Sequence, residues 1–286
     1  MVFVVRVRSA AIQRGRTAQP LSRSTLLMDK TLPVRVGAVR ALLKEIAVSA
    51  KDPKPLVVGG ARELAPMLRR DLGRDAAPGA VRADAEPKGA AVYVHVMGGT
   101  DDAAELKRAR RARVPIVAVA DARVDSVPHV LATDVVRLPP GQGFPVDEIA
   151  AAIAHRLGED AVPLAARVPV LRRAVAQDLI RLFSRKNGIV GAAVFIPGAD
   201  MPMLALNELR LVLRLHQAYG LEVDPRERLP EIVATMGASF GLRAVARELL
   251  DLVPVAGWAI KGGVAYAGTR ALGEAALRRL GPGGHG

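Results

Sequence analysis

The sequence predicts an α/β protein: a parallel-sheet domain over residues 50–160 followed by an all-helical domain over 163–280. Three observations predict it. Short apolar runs alternate with helix-length amphipathic segments between Pro55 and Leu157, the order of βαβ units. Those runs are apolar without interruption, as strands covered by helices on both faces must be. Beyond Pro163 the apolar residues fall at three- and four-residue spacing over long segments, the period of helices packed on one another.

In chain order, residues 1–27 carry Arg6, Arg8, Arg14, Arg16 and Arg23 and no acid. They are expected to form a disordered extension ahead of a translation start at Met28, a transit peptide being the compositional alternative; Met1–Val5 is too short for a secretory apolar core and ends at Arg6. Residues 28–49 read as an N-terminal helix with Val36, Val39, Leu42, Leu43 and Ile46 on one face. Pro55–Val58 reads as a strand, Gly59-Gly60 as its turn, and Arg62–Leu72 as a helix with Leu64, Met67, Leu68 and Leu72 inward. A short strand at Ala80–Ala83 lies within a loop. Ala90–Met97 is the clearest strand, and a helix over Asp101–Ala112 follows the break at Gly98-Gly99. Val114–Val119 and Asp134–Leu138 are further strands, and Val146–Leu157 is a helix with Ile149, Ile153 and Leu157 on one face.

In the helical third, Pro163–Arg185 reads as one linking helix. Next comes the longest apolar run, Gly188–Ile196, then a turn at Pro197–Asp200. The helix Met203–Tyr219 has a narrow polar stripe of Asn207, Arg210, Arg214 and Gln217, and is otherwise so apolar that it must be buried in protein or lipid. Shorter helices over Leu229–Met236 and Leu242–Leu252 precede a final helix beginning near Pro254. On that last helix Ala259, Gly263, Ala267, Ala271 and Ala275 form a ridge of minimal side chains, which predicts close approach of another helix there and disruption by Gly263→Leu. Neither Ile189–Ile196 nor Val253–Thr269 should cross a bilayer alone: the first is far short of the roughly 20 residues needed, and Lys261 interrupts the second.

The chemistry tests exclude several classes. A phosphate-binding P-loop needs a Lys and a hydroxyl residue after its glycines, whereas Gly59-Gly60 is followed by Ala61-Arg62-Glu63-Leu64. Neither this turn nor Gly141-Gln142-Gly143 has the third glycine of a dinucleotide fingerprint. Gly237-Ala-Ser239-Phe-Gly241 has the form of a nucleophile elbow, but His285 is the sole histidine after it and lies in a Gly-rich tail, so a helix-to-helix turn is the better reading. His95, His129, His155, His216 and His285 show no metal-ligand spacing, and with no cysteine there are no thiolate sites or disulfides. The net charge of +13 permits attraction to anionic lipid or nucleic acid, but 3% aromatic content offers few stacking platforms and no specific nucleic-acid motif is present. The densest basic run, Lys107, Arg108, Arg110, Arg111 and Arg113, reads as a solvated helix face. The residues themselves therefore nominate no catalytic, cofactor-binding or metal site.

Two resemblances add to this reading. The strand Val92–Met97, a helix, and the strand Val114–Val119 resemble in outline the strands before guanine recognition in regulatory GTPases, with Ala120-Asp121-Ala122-Arg123 where that family has an Asn-Lys-x-Asp sequence. From Phe183 onward the chain resembles the YcjF-like, GTPase-associated bacterial family of unknown function. The shared residues are Lys186-Asn187-Gly188, Phe195-Ile-Pro197-Gly198-Ala-Asp200, Tyr219-Gly220, Phe240-Gly-Leu-Arg243-Ala, Val253-Pro-Val-Ala-Gly257-Trp and Ala265-Tyr-Ala-Gly268-Thr-Arg-Ala-Leu-Gly273. The resemblance implies a GTPase-like domain with a degenerate P-loop joined to a helical, membrane-associated module, and no catalytic residues. The functional expectation is a non-catalytic cytoplasmic protein that associates with the inner membrane, a GTPase partner or a second copy of itself; a GTPase-like nucleotide switch is the alternative.

Overall fold

The computed structural model describes residues 37, 41–42, 44–46, 54–84, 86–124, 126–193, 201–221 and 257–281. The expected extension over 1–27, the turn at Pro197–Asp200, the short helices over Leu229–Met236 and Leu242–Leu252, and Ser239 lie outside them.

Five strands form one sheet: β1 (Leu56–Gly60), β2 (Val81–Ala83), β3 (Val92–Val96), β4 (Ile116–Asp121) and β5 (Val135–Leu138). Every pairing is parallel and the order is β2-β1-β3-β4-β5. The chain moves outward from β1 to β2, then crosses back to β3, so strand order reverses between β1 and β3. In open α/β sheets that reversal is where ligands bind, beyond the carboxyl ends of the strands.

Alternation along the strands builds two apolar layers. Leu56, Val58, Val92, Val94 and Val96 face α1 (Leu64–Leu72) and a helix from further along the chain, Val146–Leu157. Val57, Tyr93, Ile116 and Ala118 face α2 (Asp102–Arg111) through Leu106 and Ala109. The inward face of α1 is Ala65, Leu68 and Leu72, while Leu64 is 37% and Met67 52% exposed. The expected inward face is thus corrected at Leu64 and Met67. β4 starts two residues later than expected, after Pro115, whose carbonyl accepts from the Tyr93 amide at 2.8 Å.

With Val146–Leu157 as α3, the chain continues through α4 (Val162–Arg167), a 3₁₀ turn at Pro169–Leu171, α5 (Arg172–Ala193), α6 (Met201–Ala218) and α7 (Gly257–Leu280). The expected single helix over Pro163–Arg185 is broken, because Pro169 lacks an amide hydrogen and forces Val168 to be extended, at φ −123° and ψ 90°. α5 then runs through Gly188 and Gly191 to Ala193, so the start of the apolar run is helix. The core of the first sheet layer continues without a gap into Val175, Leu179, Phe183, Leu211 and Leu215 of α5 and α6. Leu42, in a helical stretch of the N-terminal segment, packs with Ala205, Leu209 and Leu213 of α6 and Leu272 of α7.

α6 is buried in protein along most of its length, and its polar stripe faces inward. Asn207 donates to Asn187 Oδ1 at 2.8 Å, and Arg210 donates to Glu159 at 2.8 Å. Arg214 is 5% exposed and donates to Glu45 at 3.2 Å. α5 and α7 approach through glycines. A Cβ at Gly191 would lie 2.9 Å from Ala265 Cβ, and one at Gly262 would lie 2.9 Å from the Gly188 carbonyl oxygen. The ridge singled out in the sequence is therefore not the described seam: a Cβ at Gly263 would meet nothing within 4 Å, and Gly263, Ala267 and Ala271 are exposed.

Candidate functional site

The switch point is walled by two glycine turns, Gly59-Gly60 after β1 and Gly98-Gly99 after β3. Register places Gly59 beside His95 and Gly60 beside Val96. Gly60 has φ +98°, and a Cβ there would fall 2.0 Å from the Val96 carbonyl oxygen. The next amide, Ala61 N–H, donates to that same carbonyl at 2.8 Å. A phosphate cradle needs such amides pointing outward and free; here one is spent on the neighbouring strand. A Cβ on Gly98 would touch Ala61 Cβ at 3.7 Å, and one on Gly99 would lie 3.7 Å from the Gly60 carbonyl carbon. The two turns close on each other.

Beneath them lies a polar cluster on the α2 side. Tyr93 and His95 point there because they are the second and fourth residues of β3, on the face opposite Val92, Val94 and Val96. Asp102 and Glu105, three residues apart in the first turn of α2, meet them on one helix face. The Asp102 carboxylate accepts from His95 Nε2 at 2.9 Å, from Gly98 N–H at 2.8 Å and from Gly99 N–H at 3.0 Å. Tyr93 donates its hydroxyl to Glu105 at 2.8 Å, and His95 Nδ1 lies 3.3 Å from that hydroxyl and 3.5 Å from Glu105. Burial holds the Tyr93 phenol well above its ordinary range, and its hydrogen bond to Glu105 raises it further. Gly59 makes room for this ring, since a Cβ there would sit 2.2 Å from the Tyr93 hydroxyl.

These are residue types that serve in acid–base chemistry. Here they bond to one another and to the loop after β3. His95 is fully buried, and Asp102 accepts from two loop amides and one imidazole. The cluster fixes the turn after β3.

The other residues weighed in the sequence are dispersed. Asp121, at the end of β4, accepts from Arg123 N–H at 2.9 Å, a local turn contact. His155 lies 3.7 Å from Asp178, and His216 bonds the Val212 carbonyl at 2.8 Å within its own helix. His129 lies in the connection between β4 and β5, and Gly141-Gln142-Gly143 in the turn before α3, far along the chain from Gly59-Gly60. His285 and Ser239 lie outside the described residues. Lys107, Arg108, Arg110 and Arg111 form the exposed face of α2. Among the described residues no group of three or more His, Asp or Glu side chains is placed to hold a metal ion.

A second polar assembly joins the sheet unit to the helices. Glu159 accepts from Lys186 at 3.0 Å and from Arg210 at 2.8 Å. Burial alone would raise this carboxyl, but the two cations outweigh it and hold it below its ordinary value. A third lies between α5, α6 and α7, where Asn187 donates to Thr269 Oγ1 at 2.8 Å and Thr269 donates to Glu208 at 3.0 Å.

The chain matches no protein-family model, no curated protein and no solved structure.

Proposed function

We propose that this is a non-catalytic protein that works by association with a membrane surface or a protein partner, its sheet being a GTPase-like domain that has lost nucleotide binding. The observation that carries the reading is the closed switch point. The place where a doubly wound sheet takes its ligand is filled by Ala61, the Val96 carbonyl and the Asp102 carboxylate. The strand order suits descent from a nucleotide-binding domain, and the sequence after Gly60 lacks the Lys and hydroxyl residue that phosphates require. The surplus of Arg and the resemblance from Phe183 onward favour association on the cytoplasmic side of the inner membrane, with a GTPase or a second copy as protein partners. Among the described residues no helix is long and apolar enough to cross a membrane; the association proposed is peripheral, through the surplus of Arg on anionic lipid.

Two measurements test this. Titrating fluorescent GTP with magnesium into the full chain should give no saturable signal at micromolar concentration; saturable binding that Gly60→Ala abolishes would restore the nucleotide-switch alternative. Flotation with vesicles containing anionic lipid should carry the protein at low salt and release it at high salt. A protein that never floats at any lipid composition removes the membrane half of the reading.

A further inference from the structure

The opposite edge of the sheet, at the amino ends of β4 and β5, carries an open cleft of about 560 Å³, within the size range of small-molecule sites. Arg110, Arg113, His129 and Arg156 line it, and Asp134 is its one acid. Asp134 is nearly fully buried and lies 3.5 Å from Arg156. The guanidinium groups of Arg110 and Arg113 make no hydrogen bond or ion pair with any described residue. Three guanidiniums against one carboxylate leave two uncompensated positive charges around one cavity.

The backbone supplies an independent observation. α2 ends in a Schellman turn: Val114 N–H donates to the Ala109 carbonyl at 3.1 Å and Arg113 N–H to the Arg110 carbonyl at 3.0 Å. The residue between those bonds must be left-handed, and glycine is the usual occupant. Here it is Arg113, at φ +57°. Across the cleft, Val130 N–H bonds the Val127 carbonyl at 3.4 Å, closing a turn with Pro128 at its second position and His129 at its third, at φ +67°. Glycine or asparagine fits that position best. Asp75 is the other non-glycine residue with positive φ among those described, and aspartate tolerates this conformation through local hydrogen bonds. So two turns that glycine would satisfy instead hold a guanidinium and an imidazole at the same cavity. A non-glycine residue held at positive φ is a pointer to a functional side chain.

The wall between these groups is apolar, formed by Ile116, Val130 and Leu131, and Leu131 is 61% exposed at the rim. A smaller cleft of about 380 Å³ shares Arg113 and Pro115 and adds Lys54 and Arg214 together with Glu159 and Asp160, so the surplus positive charge belongs to the larger cleft.

We propose that this cleft binds a phosphate monoester carried on an apolar body. Such a phosphate brings a charge of about −1.5 to −2 at neutral pH, which matches the uncompensated charge, and its oxygens suit the guanidinium fork. The apolar wall takes the substituent. The site stands apart from the switch point and does not depend on the membrane reading; if that reading holds, the cleft is its headgroup contact.

The test titrates the full chain with dihexanoyl phosphatidic acid below its micellar concentration. The wild type should bind saturably. Arg110→Gln/Arg113→Gln should weaken binding at least tenfold, while Arg69→Gln/Arg70→Gln, the same charge loss at the end of α1, should leave it unchanged. Arg113→Gly should melt no lower than the wild type and still lose binding, which a structural role for that arginine would not produce. No saturable binding, equal weakening by both double variants, or equally tight binding of dihexanoyl phosphatidylcholine or inorganic phosphate overturns the proposal. Vesicles of phosphatidic acid in phosphatidylcholine separate the two sources of the ligand: binding of the dispersed form without flotation keeps the cleft and removes the membrane.

Discussion

Gly262 and Gly263 are neighbours on α7, and replacing each by alanine is expected to move stability in opposite directions. In an exposed helix interior the change from glycine to alanine gains about 1 kcal/mol by reducing the freedom of the unfolded chain. Gly263 is such a site, because its added methyl would meet nothing within 4 Å. At Gly262 the methyl would lie 2.9 Å from the Gly188 carbonyl oxygen and 3.0 Å from Ala192 Cβ. Neither neighbour is a flexible side-chain end, so α5 and α7 must separate. Overpacking of this kind costs about 1–3 kcal/mol, and the helix-propensity gain offsets part of it, leaving a net loss of about 1–2 kcal/mol. For a chain this long, each kcal/mol moves the melting temperature by about 2–4 °C. Gly263→Ala should therefore melt higher and Gly262→Ala lower, by differential scanning calorimetry or urea titration of the full chain. Two shifts of the same sign would show that the seam is not the one described.

Three further outcomes follow from the polar clusters. Asp102→Ala should cost about 1–3 kcal/mol, because it strands the buried His95 imidazole while water can reach the exposed Gly98 amide; amide exchange at Gly98 and Gly99 should speed up in the same variant. Glu159→Gln should destabilise by about 1–3 kcal/mol at pH 7. The folded carboxyl lies below the ordinary value of 4.5, so its contribution is complete above that pH and fades as pH falls through the folded value. Urea titrations should accordingly show the gap between wild type and variant closing in acid. Thr269→Val removes the acceptor of Asn187 and one donor to Glu208 at constant shape, and should cost about 1–3 kcal/mol in the same assay, with Thr269→Ser restoring most of it.

The sheet was legible because its signal is local. Val92–Val96 is apolar enough to be covered on both faces, and the glycine pairs after β1 and β3 mark turns whatever surrounds them. The closure of the switch point was not legible, although its parts were. Tyr93 and His95 break the apolar pattern at alternate positions, and Asp102 and Glu105 stand three apart at the start of the next helix. That pairing is the signal that finds the cluster once β3 and α2 are set side by side. The burial of His95 and the bond from Ala61 to Val96 depend on how tightly two loops meet, which spacing does not encode. The break at Pro169 was legible in principle, since the residue before a proline resists the helical region; the helical spacing on either side masked it. The continuation of α5 through Gly188 and Gly191 ran against propensity, and close packing on Gly262 and Ala265 outweighs that penalty.

The choice between two small-residue ridges on α7 shows which residues settle a helix orientation. Gly263, Ala267 and Ala271 recur every four residues; Gly262, Ala265, Thr269, Leu272 and Ala276 alternate three and four. Both arcs permit close approach, so small size alone leaves the rotation of the helix open. Charge and hydrogen bonding decide it. Arg270 and Glu274 flank the first ridge and pair with each other at 2.8 Å in solvent. Turning that ridge inward would bring the pair toward the seam, with a desolvation cost that its attraction does not repay. Thr269 lies on the second arc, and burying it places its hydroxyl between Asn187 and Glu208. A one-turn slide along the seam would break both bonds and put a bulkier residue, such as Tyr266, where Gly262 meets Gly188 and Ala192. The small residues thus set the distance between α5 and α7, while Thr269, with Arg270 and Glu274 held outside, sets their rotation and register.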